Sequence, residues 1–201
     1  MTETVLVTGG AGFIGRFVCQ ELLRRGHKVR VLDSLIEQVH GEVDGSKLLD
    51  PNVELIVGDV RNGDVVTKAL QGVDSVINLA AEVGVGQSMY AVERYTSVND
   101  VGTAVLTEKL IENPVRRIVT ASSMSIYGEG LYKNVEGEFV ENAERAARTS
   151  DTQSWDPLDW HGRPLTPVAT PEWKRPNLAS IYALNKYVQE RTTLIMAGAY
   201  G

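Results

Sequence analysis

The sequence contains a single cysteine, Cys19, and only three histidines, at positions 27, 40 and 161. One cysteine excludes an intrachain disulfide framework, and the scattered histidines do not have the spacing of a metal site. Cys19 lies within an amphipathic helical pattern, where a small core residue is a better interpretation than a nucleophile. We therefore expect no metal, and a cytoplasmic setting.

Long hydrophobic runs and an excess of positive charge are also missing. No apolar stretch approaches the roughly 20 residues that cross a bilayer, and the first residues, MTETVLVTGG, lack the features of a signal peptide. The formal net charge of -6 disfavours a phosphate-rich polymer as partner. We expect neither a membrane nor a nucleic-acid partner.

What the sequence does contain is an alternation of short strands and helices. The strand patterns are TVLVTGG, KVRVLD, VELIVGDV, DSVINLAA and VRRIVTASS. The helical patterns are FIGRFVCQELLRRG, GDVVTKALQG and a long stretch from about Ser88 to Ile111. Such alternation is typical of crossover connections between parallel strands. It predicts an α/β fold with a doubly wound parallel sheet, the Rossmann arrangement, across residues 1–201.

Residues 129–178 interrupt this alternation. They hold five of the seven prolines and all three tryptophans, Trp155, Trp160 and Trp173. A segment of this length inside a compact domain is usually functional or unstructured, and its aromatic content argues against pure disorder. Two interpretations stay open: a partly ordered excursion over the functional edge of the sheet, or a solvated surface insertion.

A glycine-rich loop, TGGAGFIG, joins the first strand to the first helix. Gly9 permits a tight turn, Gly12 lets the backbone approach a pyrophosphate, and Gly15 lets the helix pack on the strand. The N-terminus of the helix also favours phosphates. Asp33 ends the second strand, where a carboxylate accepts hydrogen bonds from ribose hydroxyls and repels a 2′-phosphate. The combination predicts NAD rather than NADP; the alternative is a structural turn in which Asp33 caps a loop.

Further candidate contacts follow the third and fourth strands. Asp59 stands where a carboxylate can bind an adenine amino group, with Val60 packing on the ring. The small residues of NLAA, from Asn78 to Ala81, suit close passage of a pyrophosphate and ribose. Asn99 lies in a helical region and, if buried, would tie that helix to the strand.

Two later stretches, TASSMSIYG and IYALNKY, carry reactive groups. Tyr182 and Lys186 are four residues apart on a predicted helix, so they share one face. A nearby ammonium lowers a tyrosine pKa from its usual value of about 10, which makes Tyr182 a usable base near neutral pH. Together with a serine hydroxyl from the preceding strand end, this set suits hydride transfer between a carbinol carbon and a nicotinamide. A chance pairing of tyrosine and lysine is the alternative.

In sequence order, TGGAGFIG, GDVR, NLAA, VNDVGT, SSMSIYG and YALNK resemble the motifs of the extended short-chain dehydrogenase/reductases. This is the NAD-dependent sugar-nucleotide epimerase/dehydratase family, and the resemblance covers nearly the whole chain except residues 129–178. It implies Tyr182 as the catalytic base, Lys186 as its partner and Ser123, rather than Ser122, as the catalytic hydroxyl. It also implies cofactor contacts from Gly9, Gly12, Phe13, Ile14, Gly15, Asp33, Asp59, Val60, Leu79, Ala80, Ala81, Asn99, Tyr182 and Lys186.

The resemblance also narrows the reaction. Dehydratases and decarboxylases of the family commonly carry an acid just after the catalytic Ser/Thr, whereas this chain has Met124 and Ser125. The departure argues against dehydration and leaves 4-epimerases, which act on a nucleotide-sugar through a transient keto intermediate, and simple reductases. SSMSIYGEGLY, LTPVATPE and SIYALNKYVQE resemble the dTDP-L-rhamnose 4-epimerase branch.

Family members continue past the Tyr/Lys helix into a smaller domain that grips the nucleotide, whereas this sequence stops at LIMAGAYG. We therefore expect a Rossmann domain without the C-terminal substrate domain. Whether 201 residues alone are active stays open, and a non-catalytic dinucleotide-binding module is a further alternative. Family dimers pack two long helices, which correspond here to Ser88 to Ile111 and Ser180 to Met196, so the resemblance implies a homodimer.

Overall fold

A computed structural model of the chain describes residues 2–41, 47–145 and 155–201. Its central sheet consists of parallel strands β1 (Thr4–Thr8), β2 (Lys28–Asp33), β3 (Val53–Val57), β4 (Ser75–Asn78) and β5 (Arg117–Thr120). They lie in the order β3-β2-β1-β4-β5. The winding reverses beside β1, which is the kind of switch point where open α/β sheets bind ligands. The predicted doubly wound parallel sheet is confirmed.

The helices are α1 (Phe13–Arg24), α2 (Glu37–His40), α3 (Gly63–Leu70), α4 (Val85–Ser88), α5 (Val92–Thr96), α6 (Gly102–Glu112) and α7 (Ile181–Tyr200). A π-helical turn, Ser97–Val101, joins α5 to α6, and a 3₁₀ turn, Met124–Tyr127, follows β5. Among the described residues, no helix combines the length and apolarity that crossing a membrane requires.

The prediction of one helix from about Ser88 to Ile111 is wrong at its start. The helix α4 ends at Ser88, and the longer helical run begins only at Val92. The hydroxyl of Ser88 donates to the carbonyl of Val85 at 2.7 Å and accepts from the N–H of Tyr182 at 3.0 Å. This contact with α7 fixes the chain at Ser88, where the sequence pattern alone predicts a continuous helix.

Two apolar cores lie on opposite faces of the sheet, because successive strand side chains point in opposite directions. On one face, Val5 and Val7 pack with Cys19 of α1. On the other, Leu6 packs with Val66 of α3 and Leu106 of α6. Burial raises the pKa of the Cys19 thiol to about 11, which agrees with its predicted place in the core.

The described part of residues 129–178 has strands of its own. β6 (Leu131–Lys133), β7 (Phe139–Val140) and β8 (Thr166–Val168) form an antiparallel sheet in the order β7-β6-β8. Tyr132, Ala143 and Leu165 form a small core beside it. Residues 146–154 of this insertion lie outside the described residues.

The two ends of the insertion are joined at its base. The N–H of Asn177 donates to the carbonyl of Ile126 at 2.8 Å. Lys174, only 2% exposed, donates from Nζ to the carbonyl of Tyr127 at 3.0 Å. These bonds, which we call the basal clasp, close the insertion between β5 and α7.

Candidate active site

The register of the sheet aligns the carboxyl ends of β1, β2, β4 and β5. Thr8 pairs with Leu32 and with Asn78, and Asn78 pairs with Thr120. The residues that follow these positions therefore meet at one edge of the sheet. They include the glycine loop, Asp33, the NLAA stretch and the serines after β5.

The glycine loop lies against the end of β4. Gly9 has a positive φ of 68°, and a Cβ there would lie 2.9 Å from the main-chain nitrogen of Ala80. Only glycine combines this conformation with this approach. A Cβ at Gly15 would lie 2.5 Å from the Cα of Gly10, so helix and loop are in contact at that point.

The N-terminus of α1 is open to an anion. Gly12 is its N-cap and has no side-chain acceptor, which leaves the first-turn N–H groups available to a ligand. The exposed side chains of Phe13 and Ile14 flank this turn. The buried Nε of Arg16 has no hydrogen-bond partner among the described residues.

Asp33 is held rigidly at the end of β2. One carboxylate oxygen accepts from the N–H of Ala11 at 3.0 Å, and the other accepts from the N–H of Leu35 at 2.9 Å. The Nε2 of His40 lies 3.3 Å from the second oxygen. The carboxylate therefore joins the glycine loop to the segment after β2.

The end of β4 carries an unused donor. The Oδ1 of Asn78 accepts from the hydroxyl of Thr8 at 2.6 Å, and that hydroxyl accepts from the N–H of Ala80 at 3.3 Å. The Nδ2 of Asn78 is buried and has no partner in the described part of the chain. Buried donors are normally paired, so this one is an exception at the end of β4.

The structure gives Asp59 and Val60 other contacts. Arg61 binds the Asp59 carboxylate through its guanidinium and its N–H, and this contact lowers the pKa of Asp59. Val60 is 7% exposed and packs in the core, where it blocks any Cβ at Gly102. Little of the Val60 side chain therefore remains available for an adenine ring.

Asn99 is fully buried and ties the π-helical turn to the chain after β4, as predicted for a buried side chain. Its Oδ1 accepts from the N–H of Glu82 at 2.7 Å, and its Nδ2 donates to the carbonyl of Glu82 at 3.1 Å. Both ends of the amide are occupied. Asn99 therefore shapes the segment that follows Leu79, Ala80 and Ala81.

The helix α7 presents Tyr182 and Lys186 on one face. Ser180 caps the helix by accepting from the N–H of Ala183 at 3.0 Å. Tyr182 is half-buried, whereas Lys186 is only 3% exposed. Burial lowers the pKa of the Lys186 ammonium to about 8, because a charged group loses hydration in the interior.

The serine-bearing end of β5 packs against α7. Ser122 donates to the carboxylate of Glu190 at 2.7 Å, and the hydroxyls of Thr120 and Thr193 are 3.0 Å apart. Ser123 caps the 3₁₀ turn by accepting from the N–H of Ser125 at 3.2 Å. The structure therefore brings the strand end that carries Ser123 onto the helix that carries Tyr182 and Lys186.

Three residues that the sequence analysis did not select also lie at this site. Lys186 donates to Oε1 of Gln189 at 2.6 Å, and the spacing of three residues on one helix is a signal for this pair. No local sequence pattern indicates a role for Ser88 or His40, because the fold brings them to their partners, Tyr182 and Asp33.

The sequence of the chain matches that of known proteins. The model of the NAD dependent epimerase/dehydratase family matches residues 5–149, and the chain belongs to this family. The chain is 33% identical to a dTDP-L-rhamnose 4-epimerase from Burkholderia thailandensis over 94% of its own length and 52% of that protein. It is 36% identical to a bifunctional UDP-glucose and UDP-xylose 4-epimerase from Pisum sativum, over 64% of its length and 39% of that protein.

Solved structures give the same result. A UDP-glucose 4-epimerase from Thermotoga maritima, solved with UDP-glucose, matches with a TM-score of 0.71 and 25% identity, over 98% of this chain and 52% of that one. A Thermus thermophilus UDP-glucose 4-epimerase in complex with NAD matches with a TM-score of 0.70 and 27% identity, over the same shares. The chain thus spans about half the length of these relatives.

The contacts of the glycine loop predict unequal effects of two alanine substitutions. Gly15→Ala forces a Cβ against backbone at 2.5 Å and should lower the free energy of unfolding by about 1–3 kcal/mol. Gly12→Ala meets only the carbonyl of Gly9 at 3.2 Å and should cost about 1 kcal/mol or less. Urea denaturation measures both, and equal losses would contradict the packing described here.

Proposed function

We propose that the chain forms the cofactor-binding and catalytic part of an NAD-dependent nucleotide-sugar 4-epimerase. The observation that carries the proposal is the burial of Lys186 on the same helical face as Tyr182, with the end of β5 packed against that helix. Membership of the epimerase/dehydratase family supports it, and so does the identity with a dTDP-L-rhamnose 4-epimerase over nearly the whole chain. A dTDP-hexose is therefore the first substrate to test.

The described groups fit NAD. The first-turn N–H groups after Gly12 suit its pyrophosphate, and the fixed carboxylate of Asp33 suits the hydroxyls of its adenosine ribose. Gly9 and Ala80, which follow β1 and β4, approach each other closely, so the main chain of both segments lies at the edge of the crevice. Bound NAD supplies a hydride acceptor that returns the same hydride to the substrate.

The residues of the chain hold and move the proton. Tyr182 removes the proton from the C4 hydroxyl as the carbon is oxidised and returns it when the carbon is reduced on its other face. The Lys186 ammonium stabilises the phenolate and binds the nicotinamide ribose, and Ser123 donates a hydrogen bond to the substrate oxygen. Because the pKa of Lys186 is about 8, this stabilising charge is lost as the pH rises through that value.

The first test identifies the cofactor and the reaction. Mass spectrometry of molecules released from the denatured protein should detect NAD. The protein should interconvert dTDP-hexose 4-epimers without accumulating NADH. Accumulation of NADH would identify a dehydrogenase instead, and the absence of any turnover would leave a binding module.

Replacement of the proposed base should separate binding from turnover. Tyr182→Phe should lower kcat about 100-fold or more, because general acid–base catalysis contributes that much, while NAD stays bound. Tyr187→Phe, on the same helix but outside the proposed site, is the matched control and should retain activity. A fully active Tyr182→Phe variant would refute the assigned role.

The carboxylate of Asp33 should set the choice of cofactor. Asp33→Asn keeps an acceptor for one of the two N–H groups, that of Ala11 or that of Leu35, and removes the charge that repels a 2′-phosphate. The ratio of the Kd values for NADP and NAD, from isothermal titration calorimetry, should fall about tenfold. Asp50→Asn, at the opposite end of the sheet before β3, should leave the ratio unchanged. A ratio unaffected by Asp33→Asn would contradict this role.

We also propose a homodimer in the cytoplasm. Exposed apolar residues support the dimer: Val101 and Ile111 lie on the α5–α6 run, and Leu184 and Ile195 lie on α7. The single buried cysteine suits a reducing compartment. In sedimentation velocity, the protein should be a dimer that Val101→Glu weakens and Val57→Glu, on an edge strand, does not. A monomeric wild type would refute the dimer.

A further inference from the structure

We propose that Gln189 is a positioning residue for Lys186, which holds the ammonium at the edge of the crevice and sets how firmly it keeps its proton. The inference deepens the proposed function, because it concerns the lysine that supports Tyr182. It assigns a role to a buried amide that lies one helical turn beyond that lysine.

The geometry fixes the orientation of the Gln189 amide. Its Oε1 accepts from Nζ of Lys186 at 2.6 Å. Its Nε2 donates to the hydroxyl of Thr103 at 2.8 Å and to the carbonyl of Ala80 at 3.3 Å. An ammonium only donates and a carbonyl oxygen only accepts, so the amide cannot be reversed. Gln189, at 1% exposed, thus links the lysine to the chain that follows β4 and to α6.

The hydrogen-bond acceptor of Lys186 is the neutral amide of Gln189, whereas a carboxylate at this position would form an ion pair with the ammonium. Burial is the cause that lowers the pKa of Lys186. Nearby acids have other partners: Asp100 accepts from Asn185, Glu82 pairs with Arg94, and Glu190 accepts from Ser122. The other ionisable side chains on elements packed against α7 are Glu93, Tyr95, Glu108, Lys109, Glu112, Arg117 and Tyr127.

A neutral acceptor has a specific consequence for the chemistry. One hydrogen bond to Oε1 orients the ammonium without neutralising its charge, which therefore stays available to the Tyr182 phenolate and to the ribose. A carboxylate at the same position would stabilise the charged lysine and compete with the phenolate for it. An apolar side chain would remove the acceptor and favour the neutral amine.

Two substitutions should move the Lys186 pKa in opposite directions. Gln189→Glu should raise it by about 1–3 pH units, the usual effect of an adjacent opposite charge. Gln189→Met, of similar length but without an acceptor, should lower it below the wild-type value. A purely structural role would not produce shifts of opposite sign.

The measurement is the titration of the lysine Cε resonance by NMR in the NAD-free protein, with Lys186→Arg to assign the signal. Thr193→Val is the matched control, because Thr193 is buried on the same helix and bonds to the carbonyl of Gln189 without contacting Lys186. It should leave the titration unchanged. Shifts of equal sign in the two Gln189 variants, or no shift, would overturn the inference.

Thermal unfolding establishes that each variant is folded. If Gln189→Glu does not fold, Gln189→Met decides alone: a lowered pKa supports the inference, and an unchanged or raised pKa overturns it. The titration requires no substrate. Absence of epimerase activity would thus refute the proposed function without affecting the role of Gln189. Epimerase activity together with an unchanged Lys186 pKa in the Gln189 variants would refute the role of Gln189 and support the proposed function.

Discussion

The parallel register of β1, β2, β4 and β5 is the constraint on which every described functional group depends. Because Thr8 is level with both Leu32 and Asn78, the segments that leave these strands converge at one edge. A slip of one residue would turn Val5 and Val7 towards the wrong core and carry the strand ends out of line. The two apolar cores therefore maintain the site as well as the fold.

The helix α7 is held to this edge by a polar seam instead of an apolar one. Its buried residues include Asn185, Lys186, Gln189 and Thr193. Burial of polar groups costs free energy unless they are paired. The seam makes hydrogen bonds to Asp100, Thr103, Thr120 and Ala80. Only Oδ1 of Asn185 and Oδ1 of Asp100 lack a partner among the described residues of this seam. Such directional bonds fix the rotation of the helix more narrowly than apolar packing does, which suits a helix that must aim a phenol and an ammonium.

Local patterns in the sequence were sufficient for the strands of the parallel sheet, the glycine loop and the shared helical face of Tyr182 and Lys186. Each depends on a short-range rule: strand alternation, the conformation that Gly9 requires, or helical spacing. The break in the helix after Ser88, the contact of His40 with Asp33 and the burial of Val60 could not be predicted this way. The break after Ser88 and the burial of Val60 arise where the fold joins segments that are distant in the sequence. The contact of His40 depends on the path of the seven-residue segment after Asp33, which no periodic pattern encodes.

The basal clasp joins the two ends of the insertion where it leaves β5 and returns to α7. The main-chain bond between Asn177 and Ile126, together with the buried Lys174, fixes the point where the chain leaves and returns. The free energy of closing a longer loop rises only slowly with its length. The turns of the antiparallel sheet lie outside these bonds, so a change in their length leaves the attachment of the insertion between β5 and α7 unaltered.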